Sequence, residues 1–206
     1  MLLAGLTGGI ASGKSAVSAR LVEHGAELVD ADVIARRVLL PGTPTWQRVR
    51  RHFGSDILTP DGAIDRPALG RIVFASPHRR ALLNELTHPP VMAEIADRLE
   101  ALRAFDGVVV LDVPLLVEAN ADRPYEAVVV VAARPETQLR RLVELRGMSP
   151  EDARARIAAQ APLEDKLAVA THVLWNDGTL DELLVATDEV AADLRRRARA
   201  KHAGDD

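Results

Sequence analysis

The 206 residues contain no cysteine, which excludes disulfides and thiolate metal sites. Aromatic residues make up only 3%, leaving few rings to stack on nucleic-acid bases. Positive charge is not in excess either. With 26 basic and 30 acidic residues the net charge is −4, so nothing draws the chain to polyanions in general and any anion must meet a local cluster. No apolar run approaches the length of a membrane span, and Met1-Leu2-Leu3 enters a strand rather than a leader. We therefore expect a cytoplasmic protein with no nucleic-acid or membrane partner. Lysine is nearly missing, with Lys14, Lys166 and Lys201 standing beside 23 arginines. What is present, 48% hydrophobic and 27% charged residues, is the make-up of one globular domain able to bury a core.

One of the rare lysines falls in Gly8-Gly9-Ile10-Ala11-Ser12-Gly13-Lys14-Ser15, which fits the phosphate-loop pattern G-x-x-x-x-G-K-[ST]. The apolar run Leu2–Leu6 before it reads as a strand buried on both faces, and Val17, Leu21 and Val22 after it recur at helical spacing. Strand, glycine loop and helix are the order that such a loop requires. Its N–H groups can turn inward on a phosphate at the positive end of the helix, with Lys14 on the β- and γ-phosphates and the Ser15 hydroxyl on Mg²⁺.

Further along, Glu27–Asp30 reads as a strand leading into Asp30-Ala31-Asp32, where open α/β sheets bind ligands. Residues 33–104 are a run of helices longer than one crossover needs, punctuated by Pro41-Gly42, Thr43-Pro44, Pro60-Asp61-Gly62 and Asp65-Arg66-Pro67, and we expect Thr87-His88-Pro89-Pro90 to interrupt the last of them. This region looks like an inserted acceptor-binding segment. Regular alternation resumes with strands at Val108–Asp112, Ala127–Val131 and His172–Asn176, helices beginning near Pro135 and after Ser149, and a last helix over about 180–199. The expected fold is α/β, a five-stranded parallel sheet of the phosphate-loop NTPase type, forming a single domain over 1–206 with a tail at 200–206 lacking fixed structure.

The chemistry-bearing candidates follow from this layout. Asp32 is the candidate base, able to orient a hydroxyl and accept its proton, while Asp30 could hold the loop or a metal-bound water. The competing reading of Asp32 is a helix cap before Val33. Asp112, closing a β-branched strand, resembles the second nucleotide-binding motif and is a candidate for Mg²⁺. Arg140, Arg141, Arg146, Arg154 and Arg156 make segment 140–162 a candidate lid supplying cations to a migrating phosphoryl group. On the helical wheel Arg141 points away from the apolar stripe, whereas Arg146 is expected exposed or paired. His88 reads first as a turn residue and Trp175 as core. Neither an N-K-x-D motif nor a D-x-x-G switch after Asp112 is present, which argues against a GTPase.

The full series resembles the dephospho-coenzyme A kinase family over residues 2 to about 185. The matching stretches are Leu6–Ile10 with Ser12–Ser15, Asp30–Asp32 with Ala35-Arg36, Pro41-Gly42, Asp65-Arg66 and His88-Pro89. Later in the chain they are Val113–Leu116 with Glu118, Gln138-Leu139, Arg141-Leu142, Arg146, Arg156-Ile157, Gln160 and Asn176–Gly178. The resemblance implies transfer of the ATP γ-phosphate to the 3′-hydroxyl of dephospho-coenzyme A; we expect Mg²⁺ as cofactor and a monomer or small homo-oligomer. It implies Asp32, Lys14 and Arg141 as catalytic residues. Ala11, Ser12, Gly13, Lys14, Ser15, Ala16 and Asn176 would contact ATP, with Asn176 near the adenine. Thr7, Asp32, His88, Leu115 and Glu118 would lie on the acceptor side, and Ser15 and Asp112 on the metal. Three departures stand out. Ala11 replaces a loop glycine and should require φ below zero, Ala16 leaves Ser15 as the only hydroxyl there, and Thr171-His172 replaces an Ala-Asp pattern. The alternatives are a nucleoside-monophosphate-type kinase and a non-catalytic nucleotide-binding regulator.

Overall fold

The computed structural model describes residues 1–113, 116 and 125–204. The backbone gathers into two compact units, Met1–Val29 with Leu102–Asp206, and Asp30–Ala101.

The first unit is built on a parallel sheet in the order β2-β3-β1-β4-β5. Its strands are β1 (Leu2–Gly8), β2 (Glu27–Asp30), β3 (Val108–Asp112), β4 (Ala127–Ala132) and β5 (His172–Trp175). β1, β3 and β4 are buried along their whole lengths, as their unbroken aliphatic runs require. Helices α1 (Lys14–Glu23) and α9 (Leu180–Gly204) close one face, where Val17, Leu21, Leu183, Val190 and Leu194 meet Leu2, Leu6, Val110 and Val129. Helices α6 (Pro135–Arg146), α7 (Pro150–Ala158) and α8 (Leu163–Ala168) fill the connection from β4 to β5. β1 is followed by a crossover to the edge strand β2, and the chain returns beside β1 first as β3 and then, on its other side, as β4. The strand order reverses around β1, so the crevice for a ligand opens at its C-terminal end.

The second unit is helical: α2 (Ala31–Arg37), α3 (Pro44–Phe53), α4 (Arg66–Ala75) and α5 (Pro77–Ala101). Val49, Phe53, Ile57, Leu69 and Leu86 form its core. The Thr43 hydroxyl caps α3 and the Asp65 carboxylate caps α4, each followed by proline in the first turn.

Three expectations need correcting. Pro89 and Pro90 lie inside α5 without breaking it. Proline's fixed φ suits a helix, and the loss is the N–H bonds to the Glu85 and Leu86 carbonyls. Glu85 is exposed and can be hydrated, while the Thr87 hydroxyl bonds the Leu83 carbonyl at 2.8 Å. Trp175 is 52% exposed rather than core. β5 is an edge strand on which only Leu174 is buried, and Trp175, next along the pleat, faces the other way. The last helix continues past Arg199 to Gly204, held by Lys201, whose Nζ donates to the Met1 carbonyl at 3.0 Å and Glu126 Oε1 at 2.5 Å.

Candidate active site

The loop from Gly8 to Lys14 leaves the C-terminal end of β1 and enters α1 through Gly13, a left-handed N-cap at φ 97° that offers no side-chain cap. The Lys14 and Ser15 N–H groups at the start of α1 therefore have no intrahelical acceptor and lie at the crevice end of the sheet, the arrangement that receives an anion. Ala11 is also left-handed, at φ 58°, the one non-glycine residue with positive φ among those described. This corrects the expectation of a negative φ: the turn keeps its left-handed geometry although a Cβ is present. Alternation of ordinary and left-handed residues aims successive N–H groups inward and carbonyls outward. Ser12 is fully buried, and its hydroxyl has no hydrogen-bond partner.

Register brings distant residues to this loop. Leu6 pairs with Asp112, so β3 ends just below the loop and Lys14 Nζ donates to Asp112 Oδ1. The pair is enclosed, with side chains 18% and 4% exposed. On the other flank Gly8 pairs with Val131 and Ala132 with Trp175, which sets Asn176 one step above the loop's start. Asn176 is buried, and its amide is used at both ends: Nδ2 donates to the Ser12 carbonyl at 2.7 Å, and Oδ1 accepts from Arg141 Nη2 at 3.1 Å. Arg141 Nη1 also donates to the Ala11 carbonyl at 3.2 Å. Two glutamines join them. Gln138 Nε2 donates to the Ile10 carbonyl at 2.8 Å, and the Ile10 N–H donates to Gln160 Oε1 at 2.7 Å. Gln138 and Gln160 carry no role in the sequence reading. The legible signal was the spacing of Gln138 and Arg141, which share one face of α6.

Asp177, next to Asn176, accepts from the Arg134 N–H at 2.9 Å at the start of α6. Burial pushes its carboxyl up, but hydrogen bonds from the Thr137 hydroxyl and Arg134 N–H, with the Arg134 and Arg141 charges, hold it below its ordinary value. An anion is thus kept in the neighbourhood of Arg141.

The remaining candidates are placed as follows. Ser15 is exposed at the first turn of α1, Ala16 packs against the core, and Thr7 is fully buried in β1. Arg140, Arg146, Arg154 and Arg156 are exposed, so Arg141 is the one of that cluster turned onto the loop. Asp32 and His88 belong to the helical unit, both exposed. The cap on α2 is Asp30, whose carboxylate accepts from the Asp32 and Val33 N–H groups at 2.8 and 3.0 Å. Asp32 therefore sits in the first turn with its own carboxylate not used as the cap. His88 lies within α5 rather than in a turn. Leu115 and Glu118 lie outside the described residues.

Among the described residues no group of three or more His, Asp or Glu side chains converges as a metal cage, and no helix is long and apolar enough to cross a membrane. Mg²⁺ needs no such cage when substrate phosphates supply most of its ligands. One hydroxyl and one carboxylate, Ser15 and Asp112, are a donor set of the right hard-oxygen kind. A cavity of about 130 Å³ bounded by His24, Phe105, Gly107, Arg195 and Arg199 lies at the N-terminal ends of β2 and β3, away from the loop.

Comparison with known proteins identifies the family of the whole chain. The protein-family model described as dephospho-CoA kinase matches residues 2–182. A dephospho-CoA kinase of Streptomyces avermitilis is 56% identical over 198 residues, covering 96% of both chains. A crystal structure of a Thermus thermophilus protein, 35% identical, superposes with a TM-score of 0.80 over 94% of this chain and 97% of the other. The dephospho-CoA kinase of Campylobacter jejuni, 26% identical, does so with a TM-score of 0.72 over the same shares, 94% and 97%. A phosphate loop flanked by Asp112, Arg141 and Asn176, on a sheet in this order, is thus part of a likeness that runs almost end to end, and the chain belongs to the dephospho-CoA kinase family.

Proposed function

We propose that this chain transfers the γ-phosphate of ATP to the 3′-hydroxyl of dephospho-coenzyme A, with the roles divided as follows. Residues 11–16 hold the ATP phosphates at the start of α1, through those backbone N–H groups that have no backbone acceptor. Lys14 and Arg141 neutralise the charge that spreads over the phosphoryl oxygens in the transition state. Ser15 and Asp112 would hold Mg²⁺, which would offset the charge of the phosphates. Asp32 accepts the proton of the attacking hydroxyl as the new O–P bond forms and the bond to the ADP oxygen breaks. Asn176 braces the loop beneath the nucleotide. His88, Leu115 and Glu118 are assigned to acceptor binding, and the family likeness of the whole chain supports that part of the reading.

The observation that carries the proposal is the convergence of Lys14, Asp112 and Arg141 on one loop from three separate elements. The Asp32 role is supported by the Asp30 cap, which leaves the Asp32 carboxylate available. Asp32→Asn keeps the size and the helix but cannot take up the proton as a carboxylate does. The expected result is an unchanged melting temperature and ATP affinity, with turnover lower by about 10²–10⁴-fold. A variant that melts lower yet turns over at the wild-type rate would remove Asp32 from the mechanism.

A further inference from the structure

Ile10, between the Gly8-Gly9 pair and Gly13, is gripped at both of its backbone polar groups. Ile10 N–H donates to Gln160 Oε1 at 2.7 Å, and the Ile10 carbonyl accepts from Gln138 Nε2 at 2.8 Å. The amide orientations are dictated by these partners: an N–H must face the oxygen of Gln160, and a carbonyl must face the nitrogen of Gln138. Gln138 is 7% exposed, which is unusual for glutamine unless its hydrogen bonds are made. Beyond Ile10, the Ala11 and Ser12 carbonyls receive Arg141 and Asn176. Three consecutive outward carbonyls thus each have a side-chain donor. A Cβ on Gly9 would collide with the Gln138 amide, so this glycine is needed for the close approach of Gln138.

The same two glutamines have a second geometric property. Gln138 lies in α6, and Gln160 follows the C-terminal end of α7, its N–H bonded to the Ile157 carbonyl at 3.2 Å. The arginine-rich segment between them leaves the loop at one side-chain amide and returns to it at the other, both on the backbone of a single residue. A free loop would have to order its N–H groups each time a phosphate arrives, at an entropic cost in affinity. A loop whose carbonyls are already bonded outward has that cost removed beforehand.

We propose that Gln138 and Gln160 are positioning residues that clamp the Ile10 backbone on both sides, hold the loop in its anion-receiving shape before ATP binds, and fasten to it both ends of the arginine-rich segment between them. The proposal rests on the reading of the loop as the ATP phosphate site. It touches neither the acceptor nor the proton transfer, and this gives it a signature that a general structural role lacks.

The test is a matched pair, Gln138→Glu and Gln160→Glu, with Lys14→Ala as control, assayed for KM of ATP, KM of the acceptor and kcat, with melting temperature alongside. Both Glu variants add one negative charge beside the same residue, so the charge effect is common to them. Gln160→Glu keeps an oxygen for the Ile10 N–H, whereas Gln138→Glu sets an oxygen against a carbonyl. The expected outcome is that Gln138→Glu loses about tenfold more in kcat/KM for ATP than Gln160→Glu, the scale of one hydrogen bond lost and left unsatisfied, with acceptor KM unchanged in both. Gln160→Leu, at a half-buried position, should behave like Gln138→Glu and serves if the latter does not fold. Equal losses in the two Glu variants, a wild-type KM for ATP in Gln160→Leu, or a shift confined to melting temperature overturns the clamp. Wild-type turnover in Lys14→Ala overturns the phosphate-loop reading itself, and the clamp with it.

Discussion

The ammonium of Lys14 donates to the carboxylate of Asp112, so the loop lysine and the acid that ends β3 neutralise one another at the base of the site. Neither charge is left alone in a poorly hydrated place, and both are at hand where phosphate and Mg²⁺ would take over from each other as partners. Lys14→Ala should therefore do two separable things. It removes a phosphate cation, lowering turnover at least about a hundredfold. It also leaves the 4% exposed Asp112 carboxylate without this partner, which we expect to cost about 3 kcal/mol of stability. The double variant Lys14→Ala/Asp112→Ala should recover much of the stability and none of the turnover. Denaturant melts with activity on the same preparations check this, and a stable, inactive Lys14→Ala single variant would show that the pair contributes nothing to the fold.

Ala11 carries backbone strain that a glycine would not. At φ 58° its Cβ costs about 1–2 kcal/mol, partly offset because glycine loses more freedom on folding. Ala11→Gly should stabilise the protein by up to about 1 kcal/mol, a rise of about 2–4 °C in Tm for a chain of this size. Differential scanning calorimetry decides it, and a lower Tm would mean that the surrounding bonds from Arg141 and Asn176 have adapted the loop to alanine.

A bidentate pair fastens α9 to α1. Arg20 Nε and Nη2 donate to Asp188 Oδ1 and Oδ2 at 2.6 and 2.9 Å, and His24 Nε2 lies 2.6 Å from Oδ1. The Arg20 guanidinium, then His24, holds the Asp188 carboxyl well below the usual range. A depressed carboxyl contributes stability above its unfolded value, about 3.9, and loses it as pH falls below that. We expect Asp188→Asn to melt below the wild type at pH 7 and the gap to narrow from about pH 4 downward. Thermal melts between pH 2 and 7 measure the difference, and a constant gap across that window would contradict the linkage.

The loop was legible in the sequence because its ligands are contiguous: Gly8 to Ser15 encode their own geometry, and the aliphatic runs of β1, β3 and β4 encode a sheet buried on both faces. The embrace of the loop was less legible because it is non-local. Gln138, Gln160 and Asn176 reach back across more than a hundred residues, and only strand register puts them there. Where reading failed, packing overrode local preference. Ala11 is held left-handed against its propensity, and Pro89-Pro90 continues α5 although two carbonyls lose their N–H donors, of which that of exposed Glu85 can be hydrated. Trp175 is turned outward by the pleat of an edge strand. The choice between Asp30 and Asp32 as the cap of α2 needed coordinates, since both types and spacings suit the task.

The central claim is acceptor-dependent phosphoryl transfer, and the most direct measurement is ADP release from ATP and Mg²⁺ with one acceptor at a time. Dephospho-coenzyme A should drive release, and coenzyme A, whose 3′-oxygen already bears phosphate, should not. Nucleoside monophosphates, which lack the pantetheine arm, should be poor acceptors. Equal or faster release with a nucleoside monophosphate would contradict the account in favour of a nucleotide kinase, and ATP binding without release on any acceptor would contradict it in favour of a non-catalytic regulator.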